Sequence, residues 1–150
     1  SYEHKWLCCI SPDGTSERIV PWDNSEEHLI DNIACWAPDN TLIRAFKVYS
    51  PHFGKGDKRL ERLDLTTGNI LWATHLSTTV TSLALVDNKY VAYALNDGHI
   101  GLVDVASGTI LDELALVMDG VPTVAMSLAA CNSQLAVGTI DARLLLFEVG

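Results

Sequence analysis

Short apolar runs alternate with turn residues along most of this chain, and this pattern predicts β-strands rather than helices. The clearest stretch spans residues 79–116, where four runs are rich in β-branched and aromatic side chains. Gaps of Asn, Asp, Ser and Gly separate the runs, and Asn96-Asp97-Gly98 is a strong hairpin signal. The predicted antiparallel strands cover residues 80–85, 90–95, 100–105 and 109–116.

Two segments repeat one sequence pattern. Residues 82–105 read SLALVDNKYVAYALNDGHIGLVDV, and residues 127–149 read SLAACNSQLAVGTIDARLLLFEV, one residue shorter. A third match aligns residues 63–70 with residues 103–110, at a spacing of 40 positions. A repeat of this length, built from short strands and turns, is typical of β-sheets arranged radially around an axis.

The repeat divides the 150 residues, which we expect to form a single domain, into four parts. Residues 31–78 and 79–120 each predict a four-stranded sheet, and residues 121–150 predict a sheet that stops after its third strand. Residues 1–30 hold two short predicted strands around Ser11-Pro12-Asp13-Gly14. These strands either begin another sheet or supply the strand missing from the last one, which would remove an exposed edge.

The repeats resemble those of the WD-repeat and quinoprotein-like β-propeller families. Residues 64–72, DLTTGNILW, are close to the D-x-x-T-G-x-x-x-W phrase of quinoprotein-like repeats. Residues 104–110, DVASGTI, resemble the same phrase, but Asp112 stands where its Trp would be, and no repeat carries a full G-H and W-D pair. The resemblance covers residues 30–150 and implies an all-β fold of propeller blades, each a four-stranded antiparallel sheet.

The expected number of blades, about three plus the N-terminal strand pair, is too small for a closed propeller. Sheets at the ends of an open array would leave large apolar faces in water. We therefore expect an incomplete ring, completed by a separate chain, by a second copy of this chain or by part of a longer parent. A compact four-bladed ring that counts residues 1–30 as a blade and a different β-fold are the alternatives.

The chain is acidic, with 19 Asp and Glu, 10 Lys and Arg, and a net charge of −9. This balance disfavours nucleic acid and anionic membranes as partners and permits a basic protein. Half of the basic residues fall within sixteen positions, but Asp57 and Glu61 interrupt them, so we expect a solvated hairpin there. The basic residues of this cluster are Lys47, Lys55, Lys58, Arg59 and Arg62.

A polar linker before the first full sheet is the candidate partner-binding site. It combines an aromatic side chain with several carboxylates, which suits a partner rich in Arg and Lys. A linker that only improves solubility is the other interpretation. The candidate residues are Trp22, Asp23, Glu26, Glu27 and Asp31.

The sequence shows no grouping that indicates catalysis, a metal or a cofactor. Five histidines stand singly, Asp112 and Glu113 face opposite sides of one strand, and the cysteines match no zinc spacing. We expect buried thiols in a reducing compartment, with a Cys35–Cys131 disulfide as the alternative. The cysteines are Cys8, Cys9, Cys35 and Cys131. Trp36 and Trp72 are expected to pack between blades.

We therefore predict a non-enzymatic protein-interaction scaffold without a cofactor, a propeller module or half-propeller that is a subunit of a larger complex. The alternatives are a small acidic inhibitor or immunity-type protein for a basic partner, and a fragment of a quinoprotein-like cofactor-binding propeller. The first residues lack the basic-then-apolar order of a signal peptide, and no run approaches the ~18 apolar residues of a membrane span. We expect a cytoplasmic or nuclear location.

Overall fold

The computed structural model describes residues 6–21, 28–29, 33–48 and 56–150, in which the chain forms sixteen β-strands and no helix. The N-terminal strands are β1 (Trp6–Ile10), β2 (Ser16–Pro21), β3 (His28–Leu29) and β4 (Ala34–Ala37). They are followed by β5 (Thr41–Val48), β6 (Lys58–Asp64), β7 (Ile70–His75) and β8 (Val80–Val86). The next four are β9 (Tyr90–Leu95), β10 (His99–Asp104), β11 (Ile110–Ala115) and β12 (Val117–Met118). The last four are β13 (Val121–Pro122), β14 (Ala125–Cys131), β15 (Gln134–Thr139) and β16 (Leu144–Glu148).

Three larger sheets follow one another along the chain, each an antiparallel meander. Sheet 1 contains β3 to β7, sheet 2 contains β8 to β11, and sheet 3 contains β14 to β16. In sheet 1 the short strands β3 and β4 both pair with β5, at its two ends, so they share one strand position. Strands β1 and β2 form a separate two-stranded sheet, and β12 and β13 form another. The predicted all-β architecture of successive antiparallel sheets is confirmed.

Tight turns join the strands where the sequence predicted them. Asp87 and Asn88, between β8 and β9, both have left-handed backbones, with φ of 53° and 54°. The backbone N–H of Lys89 donates to the carbonyl oxygen of Val86 at 3.1 Å, which closes the turn. Two consecutive left-handed residues match the twist of paired strands, and Asn and Asp tolerate this conformation best after Gly.

Apolar side chains fill two layers between the sheets. The first layer joins sheet 1 to sheet 2, and fully buried members on its two sides include Ile43, Leu60, Tyr93 and Val103. The second layer joins sheet 2 to sheet 3, where Ala92 and Ala94 meet Leu135 and Val137. The three sheets therefore stack face against face, as propeller blades do.

Because side chains alternate along a strand, each sheet has two distinct faces. We call the face that points toward the next sheet in the chain the forward face, and the opposite one the backward face. In sheet 2 the forward face carries Ala84, Ala92, Ala94, Ile100 and Leu102. In sheet 3 the backward face, which packs on it, carries Leu128, Leu135, Val137, Leu145 and Phe147.

Candidate assembly surface

The forward face of sheet 3 is open in the described part of the chain. Its side chains alternate with those that pack on sheet 2, and they point to the opposite side of the sheet. Leu144 and Leu146 are each 72% exposed, although both belong to an apolar strand. The surface that we call the open face consists of Ser127, Ala129, Ala136, Gly138, Leu144 and Leu146.

The strand at the outer edge of sheet 3 is also open. Strand β16 pairs with β15 on one side, and no described strand pairs with its other side. Its counterpart in sheet 2, β10, pairs with β9 and also with β11. The β16 sequence LLLFE contains neither Lys nor Pro, the residues that commonly protect an edge strand from pairing.

A groove of about 210 Å³ separates the outer parts of sheets 2 and 3. Leu102 and Leu114 line one side, Phe147 lines the other, and Asp112 is polar within it. An additional strand beside β16 would lie next to this groove. The groove, the open face and the free edge of β16 are contiguous because they share strand β16.

The corresponding space between sheets 1 and 2 is closed by Trp72. Its ring lies against Gly108, where an added Cβ would come within 2.7 Å of the ring. The indole Nε1–H donates to the carbonyl oxygen of Val105 at 2.9 Å. The predicted packing of Trp72 between blades is confirmed. The same prediction is wrong for Trp36, which is 52% exposed.

Arg62 forms a second polar link between sheets 1 and 2. Its guanidinium donates to the hydroxyl of Thr41 and to the carbonyl oxygen of Val105, both at 2.9 Å. The side chain is only 10% exposed. The expectation of a solvated hairpin is therefore wrong for Arg62, because the register of β6 turns this side chain toward sheet 2.

A chain of ion pairs crosses the backward face of sheet 1. Arg44 and Glu61 lie opposite each other on β5 and β6, and the guanidinium and carboxylate approach to 2.7 Å. The other oxygen of Glu61 accepts from Nε of Arg59 at 2.6 Å, and Arg59 also pairs with Asp57 at 2.9 Å. Because Glu61 is fully buried, the two guanidinium groups take the place of water around its carboxylate. Since each of its oxygens faces a guanidinium, Glu61 offers no free acid or base. Lys55, of the same basic cluster, lies outside the described residues.

The aspartates of the repeated turn phrase stabilise the turns through hydrogen bonds within them. Asp64 accepts hydrogen bonds from the backbone N–H groups of Thr66 and Thr67, at 2.7 and 3.0 Å. Asp104 accepts from the hydroxyl and the backbone N–H of Ser107, both at 2.8 Å. These hydrogen bonds lower the pKa of both carboxyl groups. The phrase D-x-x-[TS]-G therefore has a local structural purpose in this chain.

No group of three His, Cys, Asp or Glu able to hold a metal occurs within the described residues. Cys35 and Cys131 are both free, so the alternative of a disulfide between them is wrong. Cys131 is exposed, which also corrects the expectation that every thiol is buried. Burial raises the pKa of the Cys35 thiol to about 12. The side chains of Cys8 and Cys9 lie outside the described part.

The linker residues predicted to bind a partner cannot be placed relative to this surface. Trp22, Asp23, Glu26, Glu27 and Asp31 all lie outside the described residues, so that site stays a prediction.

Sequence reasoning did not single out Leu144 and Leu146. The repeat contained the signal, because these residues align with Ile100 and Leu102 of sheet 2. Across the described residues, no helix is long and apolar enough to span a membrane.

Comparison with known proteins supports the fold and no specific family. No protein-family model matches the chain, and neither does any curated protein. The β-propeller domain of Myceliophteria thermophila Cps50 (Swd1) matches with a TM-score of 0.57 and 15% identity, over 83% of this chain and 36% of that one. Hsv2p of Kluyveromyces lactis matches with a TM-score of 0.57 and 21% identity, over 81% of this chain and 38% of its own.

A computationally designed protein, Ika4, matches with a TM-score of 0.52 and 14% identity, over 89% of this chain and 99% of its own length. This chain therefore spans little more than a third of the two natural proteins and nearly all of the designed one. The match to the Swd1 β-propeller domain supports the propeller part of the predicted resemblance. The chain has a β-propeller fold whose described sheets do not close into a ring.

Proposed function

We propose that this chain is a non-enzymatic assembly module, a partial propeller that joins another polypeptide in a larger intracellular complex. The observation that carries the proposal is the open end of the stack at sheet 3. There, among the described residues, one sheet has an apolar face without a neighbouring sheet and an edge strand without a partner, features that soluble proteins usually cover. Residues 1–150 act as one module in this proposal.

The energetic reason for assembly lies in the two exposed leucines. Leu144 and Leu146 are neighbours on the open face, two positions apart on β16. Covering each side chain would contribute on the order of 1.5–2 kcal/mol, at about 25 cal/mol per Å² of apolar surface. The flanking small residues of the open face permit close approach by a flat partner surface.

The acidic linker supplies a second contact in the same proposal. Trp22 would anchor in the partner, while Asp23, Glu26, Glu27 and Asp31 would attract Arg and Lys side chains. Charges of this kind accelerate association more than they strengthen the final complex. The linker would therefore steer a basic partner toward the module.

The test is the mass of the particle that contains this chain in its native source. The chain is tagged, expressed at its natural level and extracted gently at physiological salt, and particle mass is measured by size-exclusion chromatography with light scattering. We expect a mass well above that of one chain. A particle containing a single copy and nothing else would contradict the proposed function.

The contribution of the linker is tested with a neutralised variant, Asp23→Asn, Glu26→Gln, Glu27→Gln and Asp31→Asn. We expect slower assembly and a weaker dependence of the association rate on salt, because screening acts on these charges. The matched control neutralises Asp39 and Asp87 instead, which are exposed in turns of sheets 1 and 2 and lie outside the groove and the open face. If the linker variant and this control associate at the same rate as the unmodified chain, the linker has no steering role.

A further inference from the structure

A cavity of about 250 Å³ lies between sheets 1 and 2, at the end of the two sheets where three turns meet. The turn between β4 and β5 contributes Pro38 and Asp39, and the turn between β8 and β9 contributes Asn88 and Lys89. The turn after β10 forms the third side, and Arg62 of β6 lines the cavity from sheet 1. Every lining residue belongs to sheets 1 and 2 or to their turns, so the cavity does not depend on what covers sheet 3.

Arg62 departs from the repeat at a buried position. Its counterparts by strand register are Leu102 in sheet 2 and Leu146 in sheet 3, each on the third strand of its sheet. An aliphatic side chain therefore occupies this position in the other two sheets. The side chain of Arg62 is only 10% exposed, and enclosing a guanidinium costs free energy that an aliphatic residue would not. Packing alone does not account for a charge here.

The guanidinium of Arg62 keeps donors in reserve. Of its five N–H bonds, Nε–H donates to the hydroxyl of Thr41 and one Nη1–H to the carbonyl oxygen of Val105, both at 2.9 Å. One Nη2–H donates to the carbonyl oxygen of Pro38 at 3.2 Å. The other N–H of each Nη has no acceptor within hydrogen-bond distance among the described residues. Protein contacts thus hold the group in place and leave one donor on each terminal nitrogen for a ligand.

The charges that line the cavity are balanced, but its two cations are more available than its two carboxylates. Lys89 is exposed and makes no ion pair within the described residues. Asp104 accepts from the hydroxyl and the backbone N–H of Ser107 in its own turn. Asp39 lies 4.0 Å from Nη2 of Arg62, and its side chain is 90% exposed, so water weakens this ion pair. A ligand with a negative group therefore meets Arg62 and Lys89 first.

We infer that this cavity binds a small monocarboxylic acid, whose two carboxylate oxygens accept hydrogen bonds from Nη1 and Nη2 of Arg62. A planar carboxylate matches a pair of guanidinium donors, and such charge-assisted pairs are stronger than neutral hydrogen bonds. The ammonium group of Lys89 adds attraction at the exposed rim. The inference goes beyond the proposed assembly role and uses different sheets of the molecule.

The surroundings select a small ligand with a single charge. The volume lies below the range of about 300–1,000 Å³ that is typical of sites for drug-sized molecules. Asp39 and Asp104 would repel a phosphate dianion more strongly than a monoanion. An acidic protein segment would bring several carboxylates next to Asp39 and Asp87, which are both exposed in turns at this end of the sheets. A free monocarboxylic acid avoids both kinds of repulsion.

The first test titrates the full chain with sodium acetate at constant ionic strength, while NMR follows the backbone amides of Asn88, Lys89 and Ala106, which line the cavity. We expect saturable shifts with a Kd on the order of 1 mM, since acetate is a very small ligand. The Nη signals of Arg62 should shift in the same titration. Shifts that grow linearly without saturation, or saturable shifts confined to other parts of the chain, would overturn the inference.

The second test changes the proposed anchor. Arg62→Leu introduces the residue type that sheets 2 and 3 carry at this position, and it should weaken acetate binding at least about tenfold. Arg62→Lys keeps the charge but loses the paired donors, so its affinity should fall between those of Arg62→Leu and the unmodified chain. The matched control is Lys58→Met, which removes one positive charge at the opposite end of β6 and should leave the Kd unchanged.

Circular dichroism and the dispersion of the amide signals establish that each variant is folded. The titration of the unmodified chain needs no variant, so it decides the matter even if Arg62→Leu does not fold. Equal acetate affinities of a folded Arg62→Leu and the unmodified chain would overturn the inference, and so would an equal loss of affinity in Lys58→Met.

Two further probes test the choice of ligand under the same conditions. They are inorganic phosphate and a single glutamate residue blocked at its amino and carboxyl ends, which presents the carboxylate of a protein side chain. We expect acetate to bind more tightly than either probe. Equal or tighter binding of phosphate would overturn the choice of a carboxylate. Equal or tighter binding of the blocked glutamate would overturn the choice of a free acid.

Discussion

Sheets 2 and 3 carry the same sequence pattern, yet their forward faces meet different surroundings. Ile100 on sheet 2 is 6% exposed, and Leu144, at the equivalent position on sheet 3, is 72% exposed. Both residues lie at corresponding register positions of the third strand of their sheets. The comparison teaches that the repeat specifies which side chains point forward, whereas the neighbouring sheet decides whether they are buried.

The two layers between sheets differ in a related way. Between sheets 1 and 2, Trp72 and Arg62 both donate to the carbonyl oxygen of Val105, so polar and aromatic contacts fix the layer. Between sheets 2 and 3, Asp112 takes the sequence position of Trp72, and a groove lies beside it. The layer toward the open end is therefore less completely filled at its outer part.

The largest expected effect comes from truncating the same position in the two sheets. Ile100→Ala should lower the free energy of unfolding by about 2–4 kcal/mol, because it leaves a cavity in the layer beneath sheet 3. Leu144→Ala should change it by less than about 0.5 kcal/mol, since its side chain is exposed. Urea denaturation followed by circular dichroism measures both values. Equal losses in the two variants would contradict the assignment of a buried and an open face.

The next effect tests the layer between sheets 1 and 2. Trp72→Ala should cost about 2–3 kcal/mol of unfolding free energy, because the ring against Gly108 and the hydrogen bond to Val105 are both lost. Asp112→Ala, at the equivalent position of sheet 2, should stay within about 0.5 kcal/mol. Trp72→Phe should fall between them. If Trp72→Ala and Asp112→Ala lowered the unfolding free energy equally, the Trp72 ring would not stabilise this layer.

The smallest effect concerns acid stability of the turns. Hydrogen bonds from Ser107 hold the pKa of Asp104 below its ordinary value, and hydroxyls of Thr139 and Thr123 do the same for Asp141. A carboxyl whose pKa is lower in the folded state stabilises the fold above its unfolded pKa of about 3.9. This contribution is lost as the pH falls through the lower folded value.

Asp104→Asn, measured by thermal unfolding at a series of pH values, should therefore lose less stability below about pH 4 than the unmodified chain. Ser107→Ala is the matched control, because it keeps the carboxylate and removes one of its donors. Asp141→Asn applies the same test to the turn between β15 and β16 of sheet 3. Identical acid profiles for the unmodified chain and Asp104→Asn would contradict a folded-state pKa below the ordinary one.

Part of the fold followed from local pattern alone. Strand β9 has the predicted limits, residues 90–95, because a continuous apolar run of six residues between two turns allows only one short strand. The hairpin of β12 and β13 was missed, although Asp119 and Gly120 form a turn pair of the expected type. Its strands are two residues each, too short to show any alternation.

The charged residues of sheet 1 show where local reasoning fails. Glu61 and Arg62 were expected in a solvated hairpin, yet both are buried, and so is Arg44. Register places Arg44 opposite Glu61, and in sheet 2 the same two positions hold Tyr93 and Gly101. The large ring then occupies the space that a side chain at Gly101 would need. A large side chain on one strand is therefore matched by a small or oppositely charged residue on the paired strand. This matching can be recognised only when the strand register is known.

By itself the sequence determined the strands, most of the turns and the repeated blade, because these depend on alternation and on residues that tolerate tight turns. Tertiary structure decided which apolar faces are covered, since burial depends on whether another sheet stands in front of each face. It also decided the ion pairs of sheet 1 and the hydrogen bonds that converge on Val105. Those contacts join residues that are far apart in the chain, and no local pattern encodes them.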